Sequence, residues 1–105
     1  MAMRGSEVVQ DSLFKDDLTV LRREFPEIDR VVADFTEVLL LDYDLPEIPV
    51  DPATPRVYTH LVDYPPRAAS GLQQFIVIYH ATDPDPSPRQ PYRTFTLLAI
   101  ADRKA

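Results

Sequence analysis

LQQFIVIYHA, residues 72–81, decides the fold. Ten residues of β-branched and aromatic character without proline or glycine form a strand, and alternation sets Phe75, Val77 and Tyr79 on one face against Ile76, Ile78 and His80 on the other. Two runs of the same kind flank it, RVYTHLVDY at 56–64 and YRTFTLLAIA at 92–101. The connections are turn-rich, with Ser70-Gly71 before the central run and the proline-dense 83–91 after it. Three strands that follow one another without intervening helices form an antiparallel meander. A short opening strand at 7–10 is a candidate fourth.

Upstream the period changes. Phe14, Leu18, Leu21 and Phe25 recur at steps of four, three and four, one face of a helix over 12–25 that Asp11 or Ser12 caps. Pro26 suits the first turn of a second helix, whose stripe is Ile28, Val31, Val32, Phe35, Val38 and Leu39, running to about Leu41. The eleven prolines sit at 26, in 46–55, at 65–66 and in 84–91, at the joints of these elements. The fold class predicted is α+β: an N-terminal helical hairpin on one face of a three- to four-stranded, mainly antiparallel sheet, in a single domain over 1–105. Residues 1–6 (MAMRGS) are expected to be disordered or appended and carry no functional weight.

The chain has 105 residues, 45% of them hydrophobic and 27% charged, which suits one modest core. Its net charge of −6 argues against nucleic-acid binding by bulk attraction. That charge is uneven. Residues 1–51 carry thirteen acidic and five basic side chains (−8), whereas 52–105 carry four acidic and six basic (+2). The positive balance belongs to the strands, through Arg56, Arg67, Arg89, Arg93, Arg103 and Lys104. With no cysteine and two histidines, neither a disulfide framework nor a thiolate metal site is available, and no metal or cofactor is expected. No apolar run approaches the ~20 residues of a membrane helix and no signal-peptide core is seen, so a cytoplasmic protein with no membrane partner is expected. Gly-rich phosphate loops, GxSxG and HExxH are absent from the sequence.

Four strings, in order, resemble the RelE/ParE superfamily of toxins from type II toxin–antitoxin modules. FKDDLTVL (14–21) is similar to the family's opening helix, and VYTHL (57–61) stands where the family places a strand. GLQQFIVIYH (71–80) resembles its glycine-led strand of the type G-x-F-R-V-I-Y, and FTLLAIADRK (95–104) its closing strand with a terminal basic pair. The resemblance covers about 7–104. It implies a RelE/ParE-like sheet with the hairpin on one face and, in RNA-cleaving members, a ribosome-dependent mRNA endoribonuclease centre on the other. It also implies a cognate antitoxin as partner, with the ribosome and mRNA, or DNA gyrase, as target.

In ribonuclease chemistry a base takes the ribose 2′-OH proton, cations stabilise charge on phosphorus and an acid protonates the leaving oxygen. The residues available for it are His80 as proton carrier with Arg93 and Arg103 as catalytic cations, and Arg67, Lys104 and His60 as RNA contacts. Two departures weaken that assignment. Ile76 occupies the place of the strand arginine, and Thr59 and His60 stand where active relatives carry lysines or arginines. The rival reading is a non-catalytic binding module on the same fold, either gyrase-inhibiting or a degenerate toxin that only binds a protein. The plainer role for each candidate is a surface histidine, a solvated strand-end charge or, for Tyr58, Tyr64, Tyr79 and Tyr92, sheet-face packing.

Overall fold

Alternation along the central strand does what its sequence demands: Phe75, Val77, Tyr79 and Ala81 are buried, each at 1% exposure or less, while the residues between them stay half-exposed. A computed structural model describes residues 5–41, 47–64, 73–85, 87 and 92–103. The elements are β1 (Glu7–Gln10), α1 (Ser12–Glu24), α2 (Ile28–Leu40), β2 (Ile48–Pro49), β3 (Val57–Tyr64), β4 (Gln73–Ala81) and β5 (Thr94–Arg103). They build one sheet in the order β1-β5-β4-β3-β2, with β4 at its centre. β1 runs parallel to β5, and the other three pairings are antiparallel.

The α+β class and the order of helices before meander match the expectation, but the sheet has five strands rather than three or four. The extra one is β2, two residues drawn from a stretch that proline content marks as a joint. Pro49 is tolerated there because β2 is the outermost strand, where a missing N–H costs no ladder bond on the solvent side.

Asp11 caps α1, its carboxylate accepting from the Leu13 N–H at 3.2 Å, and Ser12 is the first helical residue. Phe14 and Leu18 are buried beneath α1, and Leu21 and Phe25 pack against the core edge. The corner is tight: Pro26 and Glu27 form the turn, and α2 starts at Ile28. Glu27 supplies no side-chain cap; instead its N–H donates to the Tyr64 hydroxyl at 3.0 Å, tying the corner to β3. Across the same corner Arg22 makes a forked pair with Asp29 at 2.7 and 2.8 Å. α2 buries Ile28, Val31, Val32, Phe35 and Leu39.

One core fills the space between the helices and this sheet face, centred on Phe14, Ile28, Phe75, Tyr79 and Leu97. Phe25, Tyr64 and Phe75 meet edge to face, with ring centroids 4.9 to 5.7 Å apart. A bulge interrupts β5, where the ladder steps from Leu97 opposite Tyr79 to Ala99 opposite Ile78 and leaves Leu98 unpaired with β4. Beyond Gln10, β1 no longer covers the outer edge of β5, and α1 takes over there. The Asp17 carboxylate accepts the Ile100 N–H at 3.1 Å and so satisfies an edge donor that has no strand partner.

Candidate functional site

The two faces of the sheet divide the predicted site residues. His80 is paired with Val57 and Thr96 and shares the face of Ile76 and Ile78, turned away from the helices. Arg93 lies on the opposite side. Its guanidinium sits over the ring of buried Phe95 at 5.1 Å, its Nε donates to the Thr82 carbonyl at 2.9 Å, and an Nη reaches Glu47 at 3.0 Å. Only 16% of that side chain is exposed. It therefore clasps the start of the β4–β5 connection, where Thr94 and Thr82 also exchange hydrogen bonds. Burial of Tyr79 itself, with the nearby Glu47 carboxylate adding to it, pushes the phenol above its ordinary range, and Arg93 offsets part of the rise.

Arg103 is on the same face as His80 but at the far end. It stands opposite Gln74 and donates to that side chain at 2.8 Å. Gln74 and His80 are six positions apart along β4, roughly 20 Å of extended chain. A phosphodiester spans only a few ångströms, so His80, Arg93 and Arg103 cannot act on one phosphate in this arrangement. His60 faces the helices, its ring stacked on Phe35 with centroids 5.0 Å apart and planes 17° from parallel. Burial pushes this imidazole below its ordinary range. Arg67 and Lys104 lie outside the described residues.

Two features assemble where these candidates do not. The first is a groove of about 230 Å³ between α2 and β3, lined on the helix by Val31, Asp34, Phe35 and Val38 and on the strand by residues 60–63. Its floor is apolar, and Asp34 and Asp63 supply negative charge. β2 covers β3 only at Tyr58 and Thr59, so among the described residues the β3 edge from His60 to Tyr64 has no strand beside it. The groove and that edge adjoin.

The second is the face of the sheet that the helices leave open, where cross-strand partners form rows. At one end Asp63, Gln74 and Arg103 stand side by side, with Gln74 donating to Asp63 at 2.9 Å and accepting from Arg103. The next row is Leu61, Ile76 and Ala101, the next Thr59, Ile78 and Ala99, and the last Val57, His80 and Thr96. Between its charged end row and His80 the middle of this face carries no charge. Ile48 and Val9 extend it on the outer strands at 56% and 45% exposure.

The open face and the placement of Arg93 had signals in the sequence. Strand alternation that places Phe75, Val77 and Tyr79 inward leaves isoleucine at 76 and 78 on the outside, an apolar second face. Arg93 shares the parity of Phe95 and Leu97, which already assigns it to the core side. The groove had no such signal, because it depends on how far β2 extends along β3. Among the described residues no cluster of histidine, cysteine or acidic side chains could hold a metal, and no helix is long and apolar enough to cross a membrane. The chain matches no protein-family model, no curated protein and no solved structure.

Proposed function

We propose that this chain is a RelE/ParE-like toxin homologue that acts by binding protein and has no ribonuclease centre on its sheet. The observation that carries this reading is the dispersal of the candidate residues. Arg93 is consumed on the helix side, while His80 and Arg103 are separated by the length of a strand. The hairpin-on-sheet layout and the order of the four family-like strings support the toxin-fold part of the reading. The groove beside the β3 edge that no strand covers among the described residues supports the binding part, since an extended segment can add there by main-chain hydrogen bonds and seat alternate side chains between α2 and β3.

The partner that fits is the antitoxin of the same module, offering an extended stretch with an apolar residue for the Phe35–Val38 floor and a lysine or arginine for Asp34 or Asp63. Expression of the folded chain in a bacterium, with ribosome-bound transcripts mapped by primer extension, tests the claim. Intact transcripts in cells holding folded protein are expected. Cleavage by the natural chain that disappears in His80→Ala would overturn it. A gyrase supercoiling assay with the purified chain accompanies this, and inhibition would identify gyrase as the protein bound.

A further inference from the structure

We propose that the open face of the sheet is covered by a second copy of this chain, the two sheets packed face to face about a two-fold axis running along β4. The groove proposed for the antitoxin lies toward the helix side of β3 but shares Leu61 and Asp63 with this face, so Ile78, which is outside the groove, is the position that separates the two sites.

Three observations point to a second copy. β4 is the middle strand of five, so a two-fold along it lays β5 of one copy over β3 of the other and superposes the two faces completely. That rotation keeps each cross-strand row in place and exchanges its ends. In the charged row, Arg103 of one copy meets Asp63 of the other, twice over, with Gln74 on the axis. In the next row the large Leu61, 43% exposed, meets the small Ala101, and in the one after that Thr59 meets Ala99. Charge opposes charge of the other sign and bulk opposes a gap, which is the self-complementarity an isologous interface needs.

The dimensions agree. The three long strands β3, β4 and β5 at ~4.8 Å spacing and ~3.3 Å per residue, with the short β1 and β2 beside one end, give with side chains a face on the order of 600 Å² per copy. That is the lower end of a stable interface, about 1,200 Å² in total. Twisted sheets pack aligned at about 30°, so the central rows make the closest contact and the outer strands diverge. Ile76 and Ile78 then form the dry centre. A cationic nucleic acid-binding surface is not what these rows offer, since the described face carries one arginine against Glu7 and Asp63.

Sedimentation equilibrium of the full chain from about 1 to about 500 µM tests the proposal. A dimer is expected. Ile78→Glu sets two carboxylates against each other on the axis and should raise the dissociation constant by about 100-fold or more, with the circular dichroism spectrum unchanged because Ile78 lies outside the core. Leu61→Glu, at a more exposed position, serves as the second variant. Asp63→Arg alone and Arg103→Asp alone should each weaken the dimer, and the double variant should restore it, because the swap keeps opposite charges across the axis. A chain monomeric throughout this range, a dimer indifferent to both glutamate substitutions, or a double variant no tighter than the singles would overturn the proposal. Retardation of a single-stranded RNA by a monomer would assign the face to another occupant and overturn it equally.

Discussion

Replacing Arg93 with alanine separates a structural clasp from a catalytic cation. The guanidinium donates to the Thr82 carbonyl at 2.9 Å from a mostly buried position, and a charged hydrogen bond of this kind contributes about 1.5 kcal/mol. Its seat over the Phe95 ring adds about 0.5 to 1 kcal/mol. The pair with Glu47, whose carboxylate is 40% exposed, adds about 0.5 kcal/mol and is screened by salt. Arg93→Ala should therefore cost about 2 to 3 kcal/mol, or roughly 10 °C in melting temperature for a domain of this length. Urea unfolding followed by circular dichroism measures it. Glu47→Gln should cost only about 0.5 kcal/mol, and less at high salt. Arg93→Lys should fall between, because an ammonium cannot at once hold the carbonyl, cover the ring and fork to the carboxylate. A stability for Arg93→Ala within about 0.5 kcal/mol of the natural chain would refute the clasp, decisively so if RNA cleavage were lost at the same time.

Further outcomes follow from the same contacts. His60 is held below its ordinary pKa by burial, so the unfolded chain takes up a proton that the folded chain refuses as pH falls through the ordinary histidine range. Stability from neutral His60 is therefore complete above that range and is lost on acidification. His60→Phe, which keeps a ring on Phe35, should flatten the dependence between about pH 7.5 and 5.5 in urea unfolding. Asp17→Ala strips the acceptor from the Ile100 N–H and should cost about 1 to 2 kcal/mol, with faster hydrogen exchange at Ile100 than at its neighbours. Tyr64→Phe keeps the aromatic contacts with Phe25 and Phe75 but frees the Glu27 N–H to water, for a loss of about 0.5 to 1 kcal/mol by thermal unfolding.

The helices and the three long strands were legible because each is a strong local pattern. Phe14, Leu18, Leu21 and Phe25 mark one stripe, and Phe75, Val77 and Tyr79 mark one face, whatever the rest of the chain does. β2 was not legible, since two residues ending in proline carry no periodicity and become a strand only by lying beside Thr59 and Tyr58. His60 illustrates a different limit. Its neighbours Thr59 and Leu61 point outward and Tyr58 and Val62 pack toward the core, so parity alone places the ring on the helix side. What parity does not supply is the Phe35 ring waiting there, which comes from a different element.

The uneven charge of the two halves invites a search for one basic focus on the sheet, and the cations answer it individually. Arg56, in the left-handed backbone region at φ 66°, pairs with Asp83. Arg93 is spent on Thr82, Phe95 and Glu47, and Arg103 reaches toward Gln74. Each of these described cations sits at the end of a strand, and each leans on a group in a neighbouring element. A nuclease would need them to converge, which requires a shared face and nearby rows; the bulge at Leu98 puts Arg93 and Arg103 on opposite faces despite their shared parity, and they lie at opposite ends of the sheet. The described cations of the second half therefore act as fastening for a sheet whose apolar residues occupy both faces. One face is filled by the helices, and the other presents Leu61, Ile76 and Ile78 on the side away from them.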